Sequence, residues 1–410
     1  MAQKTYLFIH QNMPAQFYHM CRYLRDRGDK VVFITRNKVN HLAGVTKVQY
    51  DLAREPKADT HPYLQTAEGA VLYAQAVYRA IHNLVQNDIK PDIVIGHAGW
   101  GETMMVRDIL PNVPILNYFE FFYRSHGQDL GFDPEYPASL DTLISTRFKN
   151  FTNHIAFDGG DWGLTPTQWQ MSTYPAAFQA KMSVIHEGID TAALKPDPNA
   201  VFELEDGRQL RAGQKIVTFV ARNLEPYRGF HTFIRAIPEI QRRHPDADIV
   251  IVGKPENGYG KKLPDGDSYK KRLLAEVSFN ANRVHFTGHL VTEKFRKVLQ
   301  ISAAHIYLTY PFVLSWSMME AMSSGCLLIG SRTTPVEEVI VHKQNGLLVD
   351  FFSHGELANT ICEVLARPAQ YAALRQAARS TILAKYDQAS VTLPKQIALL
   401  DTMIRTRTKA

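Results

Sequence analysis

The chain has 410 residues, of which 45% are hydrophobic and 21% charged, and its formal net charge is +6. This length predicts roughly two to three domains, and the composition is ordinary for a globular protein. The mildly basic charge comes without runs of Lys or Arg. It therefore argues against a nucleic-acid partner and agrees with an anionic ligand or an anionic membrane surface.

The first half of the chain alternates short apolar runs with longer helical patterns, which is typical of a parallel α/β sheet. Apolar residues recur at helical spacing between residues 67 and 84. The predicted strands span residues 5–9, 31–35, 93–96 and 115–118.

The second half repeats this alternation. One face of a predicted helix after Arg228 carries Phe230, Phe233, Ile234 and Ile237. The predicted strands span residues 216–220, 249–252, 284–287, 306–309 and 327–330.

The boundary between the halves falls in the polar, turn-rich stretch 188–213. The tail from residue 388 onward has a helical pattern. Cys21, Cys326 and Cys362 lie far apart, which argues against a disulfide framework and for a reducing compartment. The N-terminus is too weakly apolar for a signal peptide, and no run approaches about eighteen apolar residues, so we expect a cytoplasmic protein without a transmembrane span.

The most informative segment is residues 306–331, IYLTYPFVLSWSMMEAMSSGCLLIGS. It predicts a strand, a loop to residue 316, a helix beginning near Ser317, and a second strand. Ser315 and Ser317 open the helix, whose first N–H groups suit a phosphate. Glu320 lies one turn into the helix, where a carboxylate would hold ribose hydroxyls or be an ordinary helix-start Glu.

Three blocks resemble the retaining GT-B glycosyltransferases of family 4. The first is the segment just described, which contains Glu-Ala-Met-Ser-Ser-Gly (320–325). The second is ARNLEPYRGFHTFIRA (221–236), with Arg222 and Arg228 at the two basic positions and one extra residue between them. The third is IHEGIDTAALKP (185–196), which resembles the domain junction.

The resemblance implies an α/β fold of the GT-B type, with two Rossmann-like parallel-sheet domains facing a cleft. We expect an acceptor-side domain over residues 1–190 and a nucleotide-sugar domain over residues 191–387. The C-terminal helix, 388–410, would cross back onto the first domain.

The resemblance also implies the donor site. Arg222 and Arg228 would stabilise the leaving diphosphate as catalytic residues, and Glu320 would bind the ribose hydroxyls. The remaining donor-binding positions are Leu314, Ser315, Trp316 and Ser317, through their backbone N–H groups, and Asn12. Taken singly, each Arg could instead be a solvated side chain at a strand end.

One position departs from the family pattern. The first Glu of that pattern falls at Phe312, which cannot accept hydrogen bonds from a sugar. Glu120 lies where the family has a His near the donor sugar, so we expect Glu120 to bind sugar hydroxyls catalytically or to be a partly solvated loop residue. His97 and Trp100 follow another strand and are acceptor-side candidates, although Trp100 could also pack in the core.

Two Asp-x-Asp sequences, 246–248 and 265–267, occupy poor contexts for a catalytic metal, so we expect neither a metal nor another cofactor. The predicted function is retaining, metal-independent transfer of a hexose from a nucleotide diphosphate sugar to a glycan hydroxyl. A UDP-sugar is favoured as donor and GDP-mannose comes second. The acceptor would be a glycan or lipid-linked glycan, with peripheral contact to the inner membrane face left open.

Two alternatives remain at this point. A GT-B sugar-nucleotide epimerase would share the nucleotide residues but release nucleotide and sugar without an acceptor. A catalytically inactive donor-binding subunit would bind nucleotide and transfer nothing, and Phe312 motivates this second alternative.

Overall fold

The computed structural model of the protein describes residues 3–407. Its chain divides into two compact units. Unit 1 comprises residues 1–131, 137–188 and 388–410, of which 1–2 and 408–410 lie outside the described residues. Unit 2 comprises residues 132–136 and 189–387.

Unit 1 is built on a seven-stranded parallel sheet in the order β3-β2-β1-β4-β5-β6-β7. The strands are β1 (Thr5–Ile9), β2 (Lys30–Thr35), β3 (Thr46–Gln49), β4 (Ile93–His97), β5 (Ile115–Tyr118), β6 (Trp162–Thr165) and β7 (Met182–Val184). The helices are α1 (Tyr18–Asp26), α2 (Gln65–Gln86), α3 (Val106–Ile109), α4 (Leu140–Ser145), α5 (Phe151–Gly159), α6 (Gln168–Thr173) and α7 (Ala176–Gln179).

The four strands predicted in this half are confirmed, and β3, β6 and β7 were not predicted. The predicted strands are near-continuous apolar runs because helices cover both faces of a parallel sheet. In contrast, β3 (TKVQ) is partly exposed and β7 has three residues. Neither has the length or the apolar content that distinguishes a strand in sequence.

Unit 2 has a six-stranded parallel sheet in the order β12-β11-β10-β13-β14-β15, and a separate antiparallel hairpin, β8-β9. The strands are β8 (Val201–Glu203), β9 (Gln209–Arg211), β10 (Ile216–Asn223), β11 (Asp248–Lys254), β12 (Val284–Gly288), β13 (Ala304–Tyr307), β14 (Leu328–Ser331) and β15 (Leu347–Val349). The helices are α8 (Phe230–Arg243), α9 (Tyr269–Glu276), α10 (Thr292–Gln300), α11 (Trp316–Ser323), α12 (Thr334–Glu337), α13 (His354–Ala366) and α14 (Ala372–Lys385).

The apolar stripe predicted on α8 is buried in the structure, including Phe230, Phe233, Ile234 and Ile237. Gly229 precedes this helix with φ of +66°, and a Cβ there would meet the Leu308 side chain beside β13. Both the positive φ and the close approach require glycine. The turn after Arg228 can therefore enter α8 directly against the sheet.

The chain returns to unit 1 through residues 388–392 and a last helix, α15 (Leu393–Arg407). Its apolar face packs in one core cluster with β1, β2 and α1, through Leu393, Ile397, Leu400, Met403 and Ile404. Fully burying an aliphatic side chain of this kind stabilises a fold by about 1.5–3 kcal/mol. This packing holds α15 on the first unit.

Gly188 marks the place where the chain leaves unit 1. It has φ of +94°, and a Cβ there would collide with Gln388 and Thr392. The glycine therefore lets the outgoing chain pass directly against the returning chain.

The segment Phe132–Tyr136 differs from the predicted domain division. It lies inside the range assigned to the first domain, but it is part of unit 2. Its contacts there are described below.

No helix within residues 3–407 combines the length and the apolar character needed to cross a membrane.

Candidate functional site

The sheet edge of unit 2 brings two loops together. Strands β10 and β13 are parallel neighbours, so their carboxyl ends lie at the same edge, where α/β folds place ligands. After β10 the chain makes a 3-10 turn, Pro226–Arg228, and enters α8. After β13 a loop leads to α11, whose N-cap is Ser315.

Arg228 is the best-defined polar group at this edge. It is 8% exposed, and its Nη1 donates to the Thr309 hydroxyl at 2.9 Å, the Val313 carbonyl at 3.1 Å and the Tyr307 hydroxyl at 3.2 Å. No carboxylate in the described part of the chain pairs with it. Because a buried charge is costly without a counter-charge, this guanidinium is suited to an anionic ligand.

The start of α11 is linked to Arg228 through the Tyr307 hydroxyl. The Tyr307 hydroxyl that accepts from Arg228 also accepts the Ser315 N–H at 2.8 Å. The Ser315 hydroxyl accepts from the Ser317 N–H at 3.4 Å as the N-cap. Leu314 is buried, whereas Trp316 is 42% exposed. A helix N-terminus with its positive end beside a guanidinium is a suitable phosphate site.

Glu320 lies on α11, one turn beyond Ser317. Burial raises the pKa of its carboxyl group to about 7. Within residues 3–407 no side chain donates a hydrogen bond to this carboxylate. It therefore retains its full capacity to accept hydroxyl donors from a ligand.

Arg222 differs from Arg228. It lies at the end of β10, is exposed, and makes no ion pair or hydrogen bond with the described residues. The structure thus brings Arg228, but not Arg222, into contact with the loop before α11.

Phe312 sits among aromatic side chains. It is 5% exposed, and its ring centroid lies 4.8 Å from Tyr259 and 5.6 Å from Tyr227. The Arg228 guanidinium lies 6.0 Å from the Phe312 ring and 5.6 Å from the Tyr259 ring. Aromatic rings therefore line this side of the arginine.

Sequence reasoning missed Glu225, which holds this aromatic wall. Glu225 is 1% exposed, and its carboxylate accepts from the backbone N–H groups of Gly258, Tyr259 and Gly260 at 3.2, 3.0 and 2.9 Å. A Cβ at Gly258 would lie 2.5 Å from this carboxylate. The Gly-Tyr-Gly sequence after β11 is the only sequence signal for this arrangement.

Unit 1 gathers polar groups at the carboxyl ends of β1, β4 and β5, which are neighbours in its sheet. His97 is 2% exposed, and its Nδ1 accepts from the Gly99 N–H at 3.0 Å. The ring proton is therefore on Nε2, which lies 3.7 Å from a carboxylate oxygen of Glu120. The Gln16 amide donates to the other oxygen at 3.4 Å.

His10 and Asn12 belong to the same group of strand ends. His10 Nδ1 accepts from the Asn12 N–H at 2.9 Å, and its ring lies 4.9 Å from the His97 ring. Burial, followed by the neighbouring His97, lowers the pKa of His10 well below its ordinary value. Asn12 is exposed. The His10 ring therefore favours its neutral form, and it lies against the His97 ring at these strand ends.

Trp100 and Glu102 follow β4. Trp100 is 46% exposed, with its ring stacked 6.4 Å from His97. Glu102 is 1% exposed and accepts from the Tyr50 hydroxyl at 2.9 Å, and burial raises the pKa of Glu102 to about 7. The exposed indole can therefore meet a ligand, whereas Glu102 is a buried structural carboxylate.

Three of the four aspartates in the two Asp-x-Asp sequences make ion pairs. Asp246 pairs with Lys215, Asp248 with His285 and Arg283, and Asp267 with Arg272. Within the described residues no group of three or more His, Cys, Asp or Glu side chains is placed to hold a metal ion. The expected independence of metal stays a prediction.

Comparison with known proteins matches two family models to the chain. Residues 27–194 match the glycosyl transferase family 4 group, and residues 202–381 match the glycosyl transferases group 1.

Two curated relatives, both from Mycobacterium tuberculosis, match part of the chain. The chain is 27% identical over 247 residues to a GDP-mannose-dependent α-(1-6)-phosphatidylinositol monomannoside mannosyltransferase, covering 56% of this chain and 59% of the relative. It is 26% identical over 212 residues to a glycogen synthase, covering 52% of this chain and 46% of that relative. The chain thus spans about half the length of these relatives.

Solved structures match over nearly the whole chain. Sucrose-phosphate synthase from Thermosynechococcus elongatus has a TM-score of 0.73 at 15% identity, covering 98% of this chain and all of the other. Anabaena HepE in complex with UDP and glucose has a TM-score of 0.66 at 16% identity, with the same coverage. At these identities the likeness is one of fold.

Proposed function

Because this chain belongs to the family 4, group 1 glycosyltransferases and has their GT-B fold, we propose that it transfers a hexose from a nucleotide diphosphate sugar to a hydroxyl of a glycan acceptor. The transfer proceeds with retention of configuration and without a metal ion. The observation that carries the proposal is the buried Arg228, which lacks a carboxylate partner in the described chain and lies beside the start of α11.

The proposed chemistry is the one that the family resemblance implies. The bond between the anomeric carbon and the diphosphate breaks as the acceptor oxygen bonds to that carbon from the same face. The leaving phosphate takes the acceptor proton. Arg228, Arg222 and the first N–H groups of α11 stabilise the charge that develops on the diphosphate. Held donors of this kind act without reorganisation during the reaction.

The identity of the donor is tested by comparing two sugar nucleotides. A UDP-sugar is our first expectation and GDP-mannose the second. A relative of 27% identity is GDP-mannose-dependent by name, so both donors are compared. A sugar nucleotide at a hundred times its dissociation constant should stabilise the protein by about 2.7 kcal/mol. Thermal unfolding with UDP-glucose and GDP-mannose will identify the donor.

Product analysis with the identified donor and candidate glycan acceptors then tests the reaction. A glycosylated acceptor supports the proposal. Free nucleotide and sugar formed without an acceptor would indicate an epimerase, and binding without turnover would indicate a donor-binding subunit.

Glu320 should recognise the ribose of the donor. We expect Glu320→Gln to weaken binding of the nucleoside diphosphate about tenfold or more, because a charged acceptor is stronger than an amide, and to leave its 2′-deoxy analogue less affected. Since the pKa of Glu320 is raised to about 7, its ionised fraction falls as the pH drops below that value. The difference between wild type and variant should therefore shrink between about pH 8 and pH 6. Equal losses on both nucleotides at every pH would remove the ribose role.

A peripheral membrane contact is part of the proposal. Leu140, Ile144 and Phe148 follow one another at a spacing of four residues along α4 and the 3-10 turn Thr146–Asn150. They are 72%, 49% and 41% exposed. Arg147 and Lys149 are exposed on the same turn. Apolar side chains flanked by basic ones suit an anionic lipid surface.

Vesicle sedimentation tests this surface. We expect the protein to sediment with vesicles containing phosphatidylglycerol more than with pure phosphatidylcholine. Ile144→Ser with Phe148→Ser should reduce the bound fraction at least tenfold, since each buried side chain contributes roughly 1.5–3 kcal/mol. Val291, 65% exposed in unit 2, gives the control variant Val291→Ser. Equal binding by the patch variant and the control would refute the contact.

A further inference from the structure

The segment Phe132–Tyr136, here called the strap, is an unusual part of unit 2. It lies between β5 and α4 in the chain, and the residues on both sides of it belong to unit 1. We propose that the strap positions the anion-binding loops, with Asp133 as a positioning residue that acts through Tyr310 and His231. This inference rests on the proposed nucleotide site.

Asp133 is 2% exposed. One of its carboxylate oxygens accepts from the Tyr310 hydroxyl at 2.8 Å and lies 3.1 Å from His231 Nε2. The other accepts from the Glu135 N–H at 2.9 Å. Burial alone would raise the pKa of Asp133, but the hydrogen bonds from His231 and Tyr310 outweigh it and lower that pKa. The carboxylate is therefore ionised, and both of its oxygens accept hydrogen bonds within unit 2.

The two partners of Asp133 lie on α8 and in the loop after β13, and Arg228 contacts that loop from the turn just before α8. His231 lies on the first turn of α8, three residues after Arg228. Tyr310 lies between β13 and the loop to Ser315, and its N–H donates to the Tyr227 carbonyl at 3.0 Å. The Tyr227 and Tyr310 rings are 4.6 Å apart. Asp133 thus links the loop after β13 to the helix that follows the arginine turn.

Further contacts fasten the strap at both ends. The Phe132 ring lies 5.3 Å from Phe351 and 5.1 Å from Phe352. Both Glu135 oxygens accept from Arg235 at 2.7 Å, a two-pronged pair on α8. Such planar pairs are geometrically specific. The strap is held independently of Asp133, so its carboxylate has a fixed place.

Asp133→Asn keeps one neutral acceptor oxygen and places an NH2 donor at the other position, so the Tyr310 hydroxyl, the His231 ring and the Glu135 N–H cannot all keep their acceptor. The loop after β13 and the start of α8 would then shift to find partners. Because the Arg228 contacts with Thr309 and Val313 depend on the same loop, a small displacement should disturb the anion site.

The experiment compares Asp133→Asn and Tyr310→Phe with the control Asp248→Asn. Asp248 is also buried and accepts from His285 and Arg283 at 2.8 Å, but it lies at the start of β11 in the same unit. Titration calorimetry measures the affinity for UDP and GDP. Hydrogen exchange without nucleotide measures the backbone amides of residues 310–317, and thermal unfolding measures global stability.

We expect both test variants to weaken nucleotide binding at least tenfold. Hydrogen exchange of the backbone amides in residues 310–317 should become faster. In turnover, the donor KM should rise more than kcat falls. Asp248→Asn should lower the unfolding temperature without either change. Unchanged exchange and affinity in both folded test variants would overturn the inference. If Asp133→Asn does not fold, Tyr310→Phe decides. If the wild type binds no nucleoside diphosphate, the proposed function fails, and hydrogen exchange still decides the role of the strap.

Discussion

Arg228→Ala is expected to weaken binding of nucleoside diphosphates by about 1.5–3 kcal/mol, roughly 10- to 100-fold or more. The side chain is buried, makes three hydrogen bonds to uncharged groups, and faces aromatic rings of Phe312 and Tyr259. A diphosphate would supply the counter-charge that the described protein does not. Calorimetric titration with UDP and GDP measures the loss.

Two further variants test whether such a loss of affinity reflects phosphate binding. Arg228→Lys keeps the charge but cannot reproduce a planar fork of donors, so we expect an intermediate affinity. Arg222→Ala is predicted to lose affinity in the same range. Because Arg222 is exposed and makes no hydrogen bond or ion pair with the described residues, a loss of affinity on its removal can be assigned to the ligand. Unchanged affinity in both alanine variants would remove the phosphate assignment.

The part of the fold that the sequence predicts is the buried part. Strands such as β10 and β13 are apolar runs because both sheet faces are covered, and α11 follows its Ser315 cap. Structure shifts these elements only slightly, with β13 ending at Tyr307 and α11 beginning at Trp316. The sequence predicts these elements because the apolar run and the capping serine both lie within the element or next to it.

The strap shows where sequence reasoning stops. Residues 127–136 have the composition of a loop, and nothing in their sequence predicts a contact with residues far along the chain. Asp133 meets His231 and Tyr310, which are far away along the chain. The periodicity of the sequence does not predict the contacts of Asp133, because they depend on how the segment packs within unit 2.

Phe312 was identified partly from the sequence and partly from the structure. The sequence identifies it as the departure from the family pattern, but only the structure gives a physical account of it. Its ring is buried against Tyr259, whose loop is held by Glu225. The carboxylate of the family is therefore replaced by an aromatic wall and not by another acceptor at that place.

Glu120→Gln is expected to lower turnover of the intact sugar nucleotide about 100-fold while leaving the affinity for the bare nucleoside diphosphate almost unchanged. Phe312 cannot accept from sugar hydroxyls, and Glu120, two residues beyond β5, is the carboxylate that we propose for them. Its side chain is 34% exposed, with His97 Nε2 at 3.7 Å and the Gln16 amide at 3.4 Å. Contacts made mainly in the transition state lower kcat and kcat/KM together. Steady-state kinetics beside a nucleotide titration measures both quantities.

The control is Glu55→Gln, an exposed loop carboxylate of the same unit that pairs with Arg36. A substitution of this kind usually costs under about 0.5 kcal/mol, so its kinetics should equal those of the wild type. If Glu120→Gln behaves in the same way, Glu120 is a partly solvated loop residue, and backbone groups after Phe312 must hold the sugar. If it loses turnover and nucleotide affinity together, the residue acts on the phosphates or on folding. Only a loss of turnover with retained nucleotide affinity assigns Glu120 to the sugar, because the sugar is the part of the donor that the bare nucleotide lacks.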